Sequence, residues 1–260
     1  MSIVSTAASE TAAGSAETTR FREKRERIVD AASILIARHG VRGLTFVDVA
    51  QEVELNTTSV TYYFKRKELL AAAAFERALA RLDDHVETAG REATPRDRVA
   101  AFLALRFDHL SRIRKGEARP VSGLSDMRAM DEPLRSELFA RFMGVFRKVR
   151  AFFGDLNDPR TKSLNIARAH VLVENVFWLP AWLPRYSAAD FERVNTRLFE
   201  LFELGLAPDG AAWAPTRLTL PEERQSDPSE AGLETFLRAA TRLMNERGYR
   251  GASVERIASE

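Results

Sequence analysis

The sequence predicts an all-α protein, and three observations carry that reading. Apolar residues recur at three- and four-residue spacing in one segment after another. The punctuation is that of helices, with Thr94-Pro95 and Asp158-Pro159 as starts and Gly40 and Gly205 as stops. Between Thr45 and Lys67 two short helices are expected on either side of a tight turn.

The elements follow in chain order. Residues 1–19 hold Ser, Thr, Ala, Gly and Glu with little bulky apolar material, so a disordered arm is expected there. Helical signal starts near Phe21, with Ile28, Val29, Ala32, Leu35 and Ile36 on one stripe and Gly40 as a left-handed C′ residue. Thr45 caps the next helix, whose Phe46, Val49, Ala50 and Val53 are at helical spacing. Asn56 or Thr57 caps another, running from about Asn56 to Phe64. Lys65-Arg66-Lys67 follows directly. Hydroxyls and rings on a short helix beside three cations suit a DNA major groove, where side chains read base edges and cations neutralise phosphates. A plain surface helix pair has the same local pattern.

Composition narrows the classes. The chain has 260 residues, 45% hydrophobic and 29% charged, as in ordinary globular proteins. There is no cysteine, hence no disulfide or thiolate chemistry. No apolar run reaches membrane-span length, and no signal-peptide core is present, which fits a cytoplasmic setting. The net charge of +2 hides an asymmetry: Arg20 to Lys67 holds ten basic against six acidic residues, a basic end suited to an anionic partner.

Residues 21–70 resemble the DNA-binding domain of the tetracycline-repressor (TetR) family. The likeness lies in Ala37-Arg38-His39-Gly40, Gly43-Leu44-Thr45, Asp48-Val49-Ala50 and Tyr63-Phe64-Lys65-Arg66-Lys67-Glu68-Leu69-Leu70. Two positions depart from that family's pattern: Glu54 stands in the turn where Gly is usual, and Thr61 where the recognition helix usually has Tyr. The resemblance implies an N-terminal three-helix helix-turn-helix domain (residues 20–67) on a helical ligand-binding and dimerisation bundle (68–205). It implies base contacts from Thr57, Thr58, Ser59 and Tyr62, and phosphate contacts from Thr45, Tyr63, Lys65 and Lys67.

Helices are expected over the rest of the body: from Ala71 to Val86, from Pro95 to about Lys115, a short turn at 121–130, one opened by Asp131-Glu132-Pro133 and ending near Gly154, and one from Asp158-Pro159. That last helix is apolar nearly all round from Val171 to Leu179, which implies burial on two sides. The seam of a homodimer, as the family implies, is expected over Leu164 to Leu179, with Val173 in it, and over Phe191 to Phe202 of the helix between Ser187 and Gly205. Pro180 and Pro184 are expected to end or kink the helix from Asp158-Pro159. An inducer cavity, which the family also implies, is assigned to Phe107, His109, Phe142, Glu174, Asn175, Trp178 and Trp182, for an unknown small molecule of apolar or aromatic character.

Residues 206–230 read as a Pro-rich linker. Beyond it the first helix-turn-helix unit recurs at an offset of 208: Ala31, Ala32, Leu35, Gly40, Arg42, Gly43, Ala50 and Glu52 face Ala239, Ala240, Leu243, Gly248, Arg250, Gly251, Ala258 and Glu260. Residues 231–260 are therefore expected to be an incomplete second unit or, alternatively, a degenerate remnant that packs as a helical tail. Within it, a helix over 233–247 carries Phe236, Leu237, Ala240, Leu243 and Met244 on one side, and Ser253 caps a second.

Catalytic chemistry finds no footing. His39, His85, His109 and His170 are scattered without ligand spacing, and no phosphate loop, nucleophile elbow or paired carboxylate stands out, so no catalytic or metal site, cofactor or enzyme activity is expected. The reading is a regulator that binds operator DNA as a homodimer and responds to a small molecule, with no membrane involvement. The alternative is a helical ligand- or protein-binding module with a vestigial DNA face.

Overall fold

The computed structural model describes residues 4–154, 158–205, 210, 214, 228–247 and 252–260. Among these every regular element is helical. The described residues fall into two compact units, one up to Leu204 and one from Gly205 on.

In the first unit α1 (Val4–His39), α2 (Phe46–Glu52) and α3 (Thr57–Tyr63) precede the long α4 (Lys67–Ala89). Helix α1 begins at Val4 instead of near Phe21. The expected disordered arm continues the helix, because Ala and Glu propagate a helix once a packed segment has nucleated it. Ile28, Val29, Ala32, Leu35 and Ile36 are buried, as the stripe requires. Gly40 ends the helix at φ 72° and ψ 164°, a glycine-only conformation distinct from the left-handed cap expected. A Cβ there would also press on Asp126 Oδ2 at 3.3 Å.

Helix α2 is capped by Thr45, whose Oγ1 accepts from the Asp48 amide at 3.1 Å, and α3 by Asn56, whose Oδ1 accepts from the Ser59 amide at 2.7 Å. Between them Leu55 N–H bonds Ala50 C=O and Glu54 N–H bonds Gln51 C=O, the paired closure of a Schellman motif. Its left-handed position is Glu54 at φ 55°, the one non-glycine with positive φ among the described residues. A side chain costs roughly 1 kcal/mol there. Glu54→Gly is therefore expected to raise stability by about 1 kcal/mol, while Glu54→Ala, equally strained, does not. Thermal unfolding of the two variants checks this; equal midpoints would show that the turn carries no strain.

Helix α4 passes through two cores. Leu70, Ala71, Ala74 and Phe75 pack with α1, α2 and α3, and with Met127, Met130 and Leu138. Leu82, Val86 and Ala89 pack with α5 (Pro95–Arg114), α6 (Leu134–Ala151), α7 (Pro159–Trp182) and α8 (Phe191–Leu204). The helix-turn-helix thus shares its core with the body. Polar ties reinforce the joint: Arg77 of α4 donates to Asp30 of α1 at 2.6 Å and to Ser33 at 2.9 Å, Arg119 donates to Asp30 at 2.6 Å, and Asp126 accepts from the Val41 amide at 3.0 Å.

Thr94 caps α5 by accepting from the Asp97 amide, with Pro95 in the first turn. In α7 Ala169, Leu172, Val173, Val176 and Leu179 face the core. Val173, expected in the seam, is thus inside its own bundle. The outward residues are Leu164, Val171 and Trp178, 49%, 54% and 57% exposed, seven apart in sequence and so on one face. Pro180 is held inside α7, which ends two residues later. Ser187 does not cap α8. Its hydroxyl donates to Asp190 Oδ2 at 2.7 Å, and a 3₁₀ turn precedes the helix.

In the second unit α9 (Pro228–Arg247) and α10 (Val254–Ser259) form a pair. Ser253 caps α10, and Arg242 pairs with Glu260. Ala239, Leu243 and Ile257 are buried together, in register with the buried Ala31, Leu35 and Val49. Phe236, Leu237 and Met244 remain exposed. Gly248 and Gly251, and most of the expected linker, lie outside the described residues.

Candidate nucleic-acid interface and ligand cavity

Helix α3 is anchored by Val60, which is fully buried, and closed by Phe64, which is nearly so. Thr57, Thr58 and Tyr62 face outward, and Ser59 is half-buried. Thr61 is turned back, its hydroxyl donating to the Thr58 carbonyl at 3.0 Å. Tyr63 is half-buried, its ring 4.8 Å from Phe21 and 5.3 Å from Tyr62. Phe21 stacks α1 onto the end of α3, a contact that sequence reasoning missed although Phe21 is the first large apolar residue after a long polar run. Arg27 is a second such residue: it donates to the Val53 carbonyl at 3.1 Å and ties down the end of α2.

Lys65, Arg66 and Lys67 are all exposed where α3 gives way to α4. Lys67 is the first residue of α4. A cation at a helix N-terminus is ordinarily unfavourable, but beside a phosphate both the lysine and the helix dipole attract. Thr45 is exposed, yet its hydroxyl is engaged with Asp48 both as acceptor and, at 2.7 Å, as donor to Oδ2. A phosphate there must compete with that carboxylate.

The seven residues expected around an inducer cavity are not brought together. Phe107 is in the core, edge-on to Phe191. Phe142 packs on Phe146 and Phe177. Glu174 and Trp178 are exposed, the Asn175 amide donates to the Val171 carbonyl at 2.8 Å, and Trp182 lies edge-on to Tyr186. Of the seven, His109 lines a cavity. That cavity, about 540 Å³, lies between α4 and α5 and is polar where an aromatic wall was expected. His85 and His109, 24 residues apart in sequence, meet there with ring centroids 5.4 Å apart. Burial, with the Arg106 charge beside both rings, lowers His85 to about 3 and His109 to about 4, so both are neutral near pH 7. His170 lies apart from this pair, against Phe146. Among the described residues no three metal-ligating side chains converge and no helix is long and apolar enough to cross a membrane.

A second concavity of about 580 Å³ is apolar. Leu164, Val171, Phe199, Leu201 and Phe202 line it, and the Arg96–Glu203 ion pair stands at its edge. It opens on the outward side of α7 and α8.

Residues 28–74 match the family model described as bacterial regulatory proteins, tetR family. They are a TetR-family DNA-binding domain. The chain is 28% identical over 130 residues to the HTH-type transcriptional regulator BetI of Rhizobium meliloti (strain 1021), a match that covers 49% of this chain and 61% of that one. A TetR-family transcriptional regulator from Bordetella parapertussis 12822 superposes with a TM-score of 0.57 at 19% identity, over 71% of this chain and 97% of that one. AibR, solved in complex with isovaleryl coenzyme A and operator DNA, superposes at 0.54 with 14% identity, over 68% and 97%. The fold is that of TetR-family regulators, a helix-turn-helix domain on a helical body. The matched family segment holds both short helices and the start of α4.

Proposed function

We propose that this chain is a transcriptional regulator that binds palindromic operator DNA as a homodimer, represses, and is released by a small-molecule ligand. The observation that carries this is the outward face of α3: Thr57, Thr58 and Tyr62 are exposed on a short helix whose other side is locked by Val60 and Phe64, with three exposed cations at its end. Threonine hydroxyls reach base edges, the tyrosine ring offers a donor and an apolar face, and the cations set the register by holding phosphates. The dimer is the second part. A lone helix-turn-helix reads a half-site, and the apolar stripe on α7 with the groove beside α8 is the face that a two-fold partner would cover.

The test is selection of duplexes from a random DNA library with the purified protein. Two inverted half-sites about one helical turn apart are expected. Thr58→Ala should lower discrimination at one base position by about 1–3 kcal/mol, and equal loss on selected and random duplexes would remove Thr58 from base readout. Lys67→Ala should weaken binding to both alike, with the log–log salt slope shallower by about 0.9 per subunit. A protein that enriches no sequence, yet binds small molecules, would point instead to a helical binding module.

A further inference from the structure

We infer, on the DNA-binding reading above, that the stretch of α1 around Phe21 is a second DNA-binding element, in which Arg20 and Lys24 hold backbone phosphates of the duplex outside the base pairs that α3 faces.

Phe21 places this stretch. Its ring lies 6.1 Å from Tyr62, edge-on, and 4.8 Å from Tyr63. Tyr62 is 65% exposed on the outward face of α3 and Phe21 is 40% exposed, so the two rings meet at the surface and not behind the helix. One turn on, the Arg25 guanidinium lies 5.0 Å over the ring of Phe64, which closes α3. Two side chains of α1 thus grip the end of α3, and this part of α1 stands beside the face offered to DNA. The Tyr62 ring also carries Lys65 Nζ at 6.0 Å, so α1 and the cations that follow α3 meet around one residue.

Helical spacing sorts the charges. Residues 20–27 hold five basic and two acidic side chains. Glu26 and Asp30, four apart, meet Arg77 of α4 at 3.4 and 2.6 Å, and Arg22 stands one turn before Glu26 on that same row. Arg20, Lys24 and Arg27, spaced four and three, form another row about half a turn away. Arg27 fixes where that row points, because it donates to the Val53 carbonyl at the end of α2 at 3.1 Å. Arg20 and Lys24 therefore lie on the helix-turn-helix side of α1. Both are exposed, and among the described residues no carboxylate is within ion-pair distance of either, whereas Arg25 has Glu26 at 3.8 Å. Like charges four apart on a helix repel, and an anion shared between them relieves that repulsion. A duplex backbone offers such anions in a line, and contacts to it set register without reading sequence.

The experiment is equilibrium binding of the full chain to a selected operator and to a random duplex over a series of salt concentrations. The double variant Arg20→Gln, Lys24→Gln is expected to bind both duplexes roughly tenfold or more weakly at about 0.1 M salt, with the log–log slope shallower by about 1.8 per subunit, 0.9 for each contact. Arg22→Gln removes a cation from the opposite row and should leave the slope where it was. Trimming the operator back to its two half-sites should weaken the wild type and not the double variant. Phe21→Ala, which unfastens this stretch of α1 without altering charge, should give a shallower slope, and Phe21→Tyr should restore it. An unchanged slope in the double variant, an effect of Arg22→Gln as large as that of Lys24→Gln alone, or equal trimming losses in the wild type and the double variant would each overturn the element. The operator reading fails separately. A chain that enriches no sequence, but whose slope on random duplex still falls in the double variant, keeps this element and loses the operator. Sequence-selective binding with an unchanged slope does the reverse, and a chain that binds no duplex defeats both.

Discussion

Val171→Glu should leave the protein monomeric at micromolar concentration and abolish tight binding to a two-half-site operator. Val171 is 54% exposed on the outward face of α7, between Leu164 and Trp178, and borders the apolar groove that includes Leu201. In the monomer a glutamate there meets water and costs little. In a two-fold interface it is desolvated and opposed by its own symmetry mate, at about 3–5 kcal/mol for each unpaired charge. Each 1.4 kcal/mol is about tenfold in association, so several orders of magnitude are lost. Sedimentation velocity reads the outcome, with unchanged thermal unfolding of the monomer as the control. A variant that remains dimeric would place the seam elsewhere. Val173→Glu makes the contrast: it is buried in its own bundle and is expected to unfold the chain instead of splitting a dimer.

Acidification should destabilise the protein well above the range in which ordinary carboxylates titrate, through His85 and His109. Their folded pKa values, about 3 and about 4, lie below the ordinary 6.5. The unfolded chain therefore binds more protons between those limits, and stability falls as pH falls. The contribution is whole above pH 6.5 and shrinks through the window down to about 4 for His109 and about 3 for His85. Each tenfold difference in proton affinity between the folded and unfolded chain is worth roughly 1.4 kcal/mol, so the pair should remove on the order of 3–4 kcal/mol between pH 6.5 and pH 5. Asp126 works against this: burial raises its pKa, which favours the folded state on acidification. Urea midpoints at pH 7.5, 6.5, 5.5 and 5.0 give the slope. The double variant His85→Gln, His109→Gln should flatten it, and a wild-type protein already flat across this window would mean that the imidazoles are solvated and ordinary.

The helix-turn-helix was legible because its determinants are local. Thr45 and Asn56 cap through bonds to amides three residues on, the stripe of α1 is set by helical period, and Lys65 to Lys67 follow α3 directly in the chain. Glu54 was visible as a departure from glycine, and the Schellman bonds explain why the position asks for one. That α7 carries apolar residues on more than one face was also readable, and in the structure one of those faces is buried in the bundle while Leu164, Val171 and Trp178 stay exposed. Which side each residue took was not. Val173 and Val171 differ by two positions and about 200° of helix, and hydrophobicity does not tell inward from outward when both are apolar.

The cavity was the least legible part. Aromatic residues drew attention, and Phe107, Phe142 and Trp182 proved to pack on other rings because large apolar side chains fill cores before they line openings. His85, Arg106 and His109 are an ordinary scatter in sequence. Only the packing of α4 on α5 puts two imidazoles 5.4 Å apart and leaves a guanidinium buried without an acid. Capping, helical period and turn chemistry act over a few residues, so the sequence by itself determined which segments are helical, the caps at Thr45, Asn56 and Thr94, and the exposed polar side of α3. Burial, charge pairing and desolvation act between residues distant in the chain, so the tertiary structure alone decided the outward stripe of α7, the arginine ties between α1 and the body, and the polar cavity they adjoin.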